Sequence, residues 1–586
     1  MKKVTFTLVA ALLAGTVLLT GCGLKKMVKK YPTVNYKTTP EVLETNGGKI
    51  AVKVEGSFPA KYFHKKAVVN FTPVLKFNGG EYKLKTITLQ GEKAKGNGTV
   101  IKKKSGGSFS YEDVIPYKPE MNVSELFVNP KACLKETKCK DLGDRKLAEG
   151  VIYTSERVGK DEELTFVNDA FQKEVILTEK ASIYFMVAKF NLDMNQPYNK
   201  KQEVMDALKK LKDFHTSGLK KKDVTINAWA SPEGEIKFNQ TLSADRAKTA
   251  ADYLKKYYEE TLTKNAKAID KNAKPVKEEF VYAMNGNGED WEGFLREVEA
   301  SNIKDKNTIL NVVKSQTDVD KREQEIKNMA LIYKEIEDVI LPGLRRAEIT
   351  INSYKDIRTD EKIAMLSTTS PETLENDELL YAATLTNDLN TKLKIYKSHS
   401  TIYAQDWRGY NNAGYIDLKL GNVDEASQLL EKANSISPNN GVVLNNLGVC
   451  ASWKKDYDGA KGFYEQAQAK GQDVNYNLGI IAIRKGDYPT AIQLFAGKTC
   501  RYNVALVQLL SKDNNSAAGT LECVPNKTAE THYLMAIVGA RTGNTGMMND
   551  NLKKAIALDA NYRAQAKDDR EFLKYFTNAQ FTDAIK

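Results

Sequence analysis

The rhythm of apolar and polar positions divides the chain into stretches that fold by different rules. After Lys2 and Lys3 an apolar run extends from Val4 to Leu19. It is too short for a retained membrane span and suited to a secretory signal. Residues 22–45, with Lys25, Lys26, Lys29 and Lys30, read as a basic tether. From about Asn46 to Lys180 the apolar positions alternate, as in Ile50, Val52 and Val54, or Val69, Phe71, Leu75 and Phe77. Asn78-Gly79-Gly80, Gly96-Asn97-Gly98 and Gly106-Gly107 supply turns, so the spacing predicts a β-sandwich over 46–180. Ile183-Tyr184-Phe185 then opens a strand, and Val204, Leu208, Leu211 and Phe214 share one helical face. Val224, Ile226 and Ala228 alternate in a second strand, and Ala244, Ala247, Ala251, Leu254 and Tyr258 follow at helical spacing. Strands at Phe280–Met284 and Ala347–Ile351 complete a central α/β domain over 181–353, with a charged helical insertion at about 291–342. From residue 363 to 586 the period is helical throughout.

The helical part repeats itself. Gly414, Gly421, Ala426, Leu430, Ala433 and Pro438 recur in kind as Leu447-Gly448, Tyr457, Ala460, Tyr464 and Ala467. They recur again as Leu478-Gly479, Gly486, Tyr488, Ala491 and Phe495, and a last copy includes Gly543, Leu552 and Ala555. These residues resemble tetratricopeptide repeats, in which small residues let paired helices approach and large ones fill the gaps between pairs. The resemblance implies an all-α solenoid that binds envelope proteins.

The central domain carries a second resemblance. Gly234, Asn239, Leu242-Ser243, Arg246-Ala247 and Asp252-Tyr253-Leu254 resemble the core motif of OmpA-like peptidoglycan-binding domains. Gly286-Asn287-Gly288-Glu289 and Arg345-Arg346-Ala347-Glu348-Ile349 resemble later motifs of the same family. The resemblance implies a site for a diaminopimelate-type stem peptide at Ser231, Glu233, Asn239, Leu242 and Arg246. Such a ligand presents a carboxylate and an ammonium, so its receptor needs a cation, an anion and orienting amides on a rigid platform. Arg246 fits the carboxylate. The family's aspartate is replaced by Ser231, so two readings stay open: Glu233 substitutes for it, or the domain has become a docking module.

Leu19-Thr20-Gly21-Cys22 resembles a bacterial lipobox, which implies a cleaved leader over residues 1–21, lipidation of Cys22 and anchoring in the outer membrane, facing the periplasm. Of the other five cysteines, Cys133 and Cys139 are expected to form a local disulfide, Cys500 and Cys523 can pair, and Cys450 suits a buried site. The four histidines are scattered, which argues against a zinc site, and no metal or cofactor is expected. The net charge of +12 is spread along the chain and, in a secreted protein, points to anionic lipid or wall polymers and not to nucleic acid. No nucleophile–base pair or carboxylate pair falls on a common face, so no catalytic residue is assigned. The assembled expectation is a multidomain, non-enzymatic lipoprotein: a β-sandwich, an OmpA-like α/β domain binding peptidoglycan, and a helical solenoid holding protein partners. Its alternative is an assembly subunit of an outer-membrane machine, without wall binding.

Overall fold

The computed structural model describes residues 22–135, 138–328 and 330–586. The leader assigned to 1–21 lies outside them, and so does the side chain of Cys22. The chain forms two compact units, one from residues up to 169 together with 370–586, the other from 170–369.

The first unit begins with a helix, Cys22–Lys30, followed by strands β1 (Asn35–Thr39), β2 (Val42–Asn46) and β3 (Lys49–Phe58). Next come β4 (Ala67–Phe71), β5 (Pro73–Phe77), β6 (Gly80–Lys83), β7 (Ile87–Gly91), β8 (Thr99–Ile101) and β9 (Gly107–Pro116). The sandwich ends with β10 (Ser124–Val128), β11 (Lys131–Leu134), β12 (Lys138–Asp141) and β13 (Arg145–Ile152). One sheet runs β1-β3-β2-β13-β10-β5-β6 with β9 paired to β3; the other runs β12-β11-β4-β7-β8. Alternation does the expected work: every second residue of β3 from Ile50 to Phe58 is buried, and it meets Phe71, Leu75, Leu89 and Tyr111 in a shared core. Cys133 and Cys139 face each other across β11 and β12 as a disulfide.

Two boundaries differ from the sequence reading. The tether assigned to 22–45 is part of the sandwich, since Leu24, Met27, Tyr31, Val34 and Leu43 enter its core. The lysines there conceal an apolar helical stripe, Leu24, Met27, Val28 and Tyr31. The sandwich also stops at Ile152, not at 180. Residues 157–175 hold no strand, and β14 (Ile176–Tyr184) belongs to the second unit, where it pairs along its whole length with β17 (Arg346–Tyr354).

That unit has a four-stranded sheet in the order β14-β17-β15-β16, with β15 at Lys221–Ala230 and β16 at Ala283–Glu289. Helices Gln202–His215 and Ile236–Ile269 supply Leu208, Leu211, Ala247, Ala250 and Leu254 to the core beneath it. The third strand lies further along than Phe280–Met284, because Asn285, Gly286 and, past a register shift, Glu289 pair in parallel with β15 despite their polarity. Gly286 is required here, since a Cβ would lie 2.5 Å from the backbone nitrogen of Ala244 on the long helix. The insertion forms short helices, Trp291–Ala300, Lys306–Ser315 and Val319–Lys327, followed by further turns to Leu344, around a core of Phe294, Val298, Ile309, Val313 and Ile340.

The C-terminal part of the first unit is an all-helical solenoid of antiparallel pairs. Trp407–Leu420 packs on Val423–Ile436, Gly441–Trp453 on Tyr457–Ala469, and Asn475–Arg484 on Tyr488–Leu494. Tyr502–Leu510 with Asn514–Cys523 and Ala529–Thr542 with Thr545–Leu558 continue the series. Gly448 and Gly479 are where the helices touch, since a Cβ would stand 2.4 Å from the Tyr464 ring and 2.3 Å from the Phe495 ring. Cys500 and Cys523 are joined, and Cys450 is free and buried. Among the described residues no helix is long and apolar enough to cross a membrane.

Candidate functional site

Two polar constellations stand out. The first is the junction of β15 and the helix Ile236–Ile269: Ser231 and Glu233 stand in the loop, Asn239, Leu242 and Arg246 on the helix, and hydrogen bonds join Ser231 to Glu233 and to Asn239. Arg246 is only 1% exposed. Its Nε donates to the carbonyl of Lys189 at 3.0 Å, Nη1 to that of Trp229 at 2.9 Å and Nη2 to that of Met186 at 3.0 Å. The Phe185 ring lies 5.4 Å from the guanidinium. Burial, and then the nearby Arg345, pull its pKa down to about 10, which leaves it cationic at neutral pH.

The anion of the loop is engaged as well. Arg345 forks onto Glu233, Nε to Oε1 at 2.9 Å and Nη2 to Oε2 at 3.1 Å, and Ser231 Oγ donates to Oε1 at 2.5 Å. Asn239 Nδ2 holds the carbonyls of Ser231 and Gly234 and Glu289 Oε1. Trp291 Nε1, the first residue of the insertion, donates to Glu289 Oε2 at 2.8 Å, and burial raises the Glu289 carboxyl above its usual range. From the same insertion Lys327 Nζ reaches the carbonyl of Glu233 at 3.2 Å and pairs with Glu323. Leu242 is buried. Of the residues that the motif singles out, Ser231, Glu233 and Asn239 are joined by hydrogen bonds, whereas Arg246 faces backbone carbonyls and Glu233 also faces Arg345. Among the described residues no group of three His, Cys, Asp or Glu side chains could hold a metal ion.

The second constellation lies in the solenoid. The strandless segment that follows the sandwich runs extended along the helices, and asparagine amides clasp its backbone. Asn412 Oδ1 accepts from the N–H of Val167 at 3.1 Å and its Nδ2 donates to the Val167 carbonyl at 2.8 Å. Asn446 does the same at Thr165 (2.9 and 2.7 Å), Asn477 at Glu163 (2.7 and 2.9 Å) and Asn503 at Gly159 (2.9 and 3.0 Å). Each clasp satisfies both main-chain groups of one residue, and the first three fall on alternate residues, the period of an extended strand. The segment runs antiparallel to the order of the repeats.

Side chains fix its register. Asp161 accepts from Tyr476 Oη at 2.6 Å, and Glu162 accepts from Ser452 Oγ and Trp453 Nε1, each at 2.6 Å. Glu163 meets Lys498 and Arg501, at 3.2 and 3.0 Å. Phe166 packs on Tyr396 and Tyr415. At the other end Arg157 pairs with Asp569 at 2.6 Å and lies 4.4 Å from the Tyr533 ring centre. Burial pushes the Asp161 and Glu162 carboxyls above their usual range. Sequence reasoning missed this site, although a signal existed: Asn412, Asn446 and Asn477 each stand two residues before a repeat glycine, and Asn503 two before Ala505.

Residues 417–478 match the tetratricopeptide repeat family model. No curated protein matches the chain. Among solved structures, a tetratricopeptide repeat protein from Parabacteroides merdae is 16% identical, with a TM-score of 0.30, covering 36% of this chain and 91% of its own. The type IV pilus biogenesis factor PilW is 14% identical, with a TM-score of 0.27, covering 38% of this chain and 99% of its own. Yeast Tom70 is 12% identical, with a TM-score of 0.26, over 59% of this chain and 85% of its own. The chain is thus multidomain, with a β-rich N-terminal region and a C-terminal tetratricopeptide-type solenoid, a repeat class that points to protein–protein scaffolding.

Proposed function

We propose that the protein is a non-enzymatic scaffold subunit of a bacterial outer-membrane complex, anchored on the periplasmic side by lipid at Cys22. Its central domain resembles OmpA-like domains and uses the family's ligand loop as internal structure, not as a peptidoglycan receptor. The observation that carries this reading is the guanidinium of Arg246, which holds three backbone carbonyls of its own domain while Glu233 is taken by Arg345. A stem-peptide carboxylate would have to displace fixed scaffold groups to reach Arg246, a competition that favours the pre-organised partners. The asparagine-lined face of the solenoid is occupied by residues 159–167, so protein partners are expected on its other surfaces. Co-sedimentation of the full chain with purified peptidoglycan sacculi tests this. The chain is expected to stay in the supernatant, and saturable pelleting of the wild-type chain would replace the scaffold reading with a wall tether.

A further inference from the structure

The register of the five-stranded sheet gathers four segments at one end. Leu134 lies opposite Ala67 and Lys138, Val68 opposite Gln90, and Gly91 beside Ile101. The residues before Ala67, after Gly91 and after Ile101, with Lys135 and Lys138 at the ends of β11 and β12, therefore emerge together. Main-chain bonds tie them, Lys61 N to Lys103 O and Lys93 N to Lys65 O, both at 2.7 Å. These segments are lysine-rich, and Lys65, Lys66, Lys93, Lys95, Lys103 and Lys104 are all exposed. Among their described residues the acidic one is Glu92, which accepts from Lys103 N at 2.8 Å and lies 3.8 Å from Lys65 Nζ. His64 sits within this ring; burial, then Lys103 and Lys66, push its imidazole below the usual value.

The chain enters at the same end. A Cβ on Gly23, next to Cys22, would stand 2.6 Å from the His64 ring. The helix that follows buries Leu24 and Met27 and exposes Lys25, Lys26, Lys29 and Lys30. The residue proposed to carry the lipid thus opens a packed helix whose start lies against this basic end of the sandwich.

We infer that this end is a seat for anionic phospholipid headgroups, so that the sandwich rests on the membrane surface and is oriented by it. The inference rests on the lipid-anchor reading of Cys22. A lipid on Cys22 fixes the chain to the bilayer, and a basic patch beside it adds attraction to anionic headgroups that a lipid alone does not orient. Each lysine near an anionic surface strengthens partition by about fivefold.

The test uses the mature full chain purified without lipid on Cys22, floated with vesicles of phosphatidylcholine alone or mixed with phosphatidylglycerol. Flotation is expected only with the anionic vesicles and is expected to be lost at high salt. The triple variant Lys66→Glu, Lys95→Glu, Lys104→Glu is expected to bind at least about a hundredfold more weakly. A control with the same change in net charge on the solenoid, Lys432→Glu, Lys553→Glu, Lys554→Glu, is expected to keep most of the binding. Equal flotation with neutral vesicles, no flotation, or equal loss in both variants would overturn the inference. Palmitate labelling of Cys22 in cells reads the anchor separately, so failure of that reading is distinguishable from failure of the basic seat.

Discussion

The loop around Arg246 and the groove lined by asparagines are both polar sites closed by the chain itself, and they are closed in different ways. In the loop, charged side chains of one rigid domain saturate one another. The guanidinium meets three carbonyls, and the carboxylate meets Arg345. In the groove, neutral amides read the backbone of a segment that is not part of any sheet or helix. The first arrangement is inseparable from the fold of its domain. The second has the form of receptor and ligand joined in one chain, and a backbone-reading ladder is indifferent to most of the sequence it holds.

The comparison can be broken most forcefully at Arg246. Arg246→Ala removes three charge-assisted bonds to the carbonyls of Met186, Lys189 and Trp229, at about 1–3 kcal/mol each, and Met186 keeps a second donor, the Lys189 N–H. The central unit is expected to lose roughly 3–5 kcal/mol in denaturant unfolding. A loss below about 1 kcal/mol would mean that the guanidinium is not structural. In the groove the expected effect is smaller and local. Asn446→Ala removes two bonds to Thr165 and is expected to cost about 2 kcal/mol, read as faster hydrogen exchange at the amides of Glu163, Thr165 and Val167. Exchange in the sandwich core should be unchanged, and unaltered protection at Thr165 would show that the clasp contributes nothing.

Acid separates the two regions by sign. His215 contacts Tyr282 and Glu278, lies under the Tyr258 ring, and has its pKa lowered to about 3 by burial, with Lys221 adding. Glu278 at 3.2 Å favours the imidazolium, but burial outweighs it. Below pH 6.5 the unfolded chain takes up a proton that the folded domain does not. The central unit is therefore expected to lose up to about 1.4 kcal/mol per pH unit as pH falls toward 3. Asp161 and Glu162 are shifted upward, so the docked segment takes up protons before the free one does. Its protection from exchange or protease is expected to rise as pH falls toward the ordinary carboxylate range. His399 in the solenoid, lowered to about 4 by burial, opposes this in global unfolding, so the readout must be local to residues 159–167.

How much of this was legible depends on range. Ile50, Val52 and Val54 announced β3, and the repeat glycines announced the helix pairs, because those patterns are local. The loop residues could be named from a motif, but the partners that decide its chemistry could not. Arg345 is separated from Glu233 by 112 positions and Met186 from Arg246 by 60. The first helix was hidden by its lysines, whose exposed side carries the charge while Leu24 and Met27 carry the packing. The asparagine ladder was hidden by convention, since a polar residue in a helix reads as solvent-facing until a backbone is seen lying against it.

Repeat arrays ordinarily behave as one-dimensional chains, in which each unit feels only its neighbours and unfolding can begin at either end. The segment at 159–167 cancels that locality. It touches repeats whose clasping residues lie 245 to 344 positions further along the chain, and it bonds to four of them at once. Residues 412 to 503 should therefore melt together and not unravel from one end. A chain delivered N-terminus first presents the segment before the last repeat it clasps, so the repeats can close on a ligand that is already waiting.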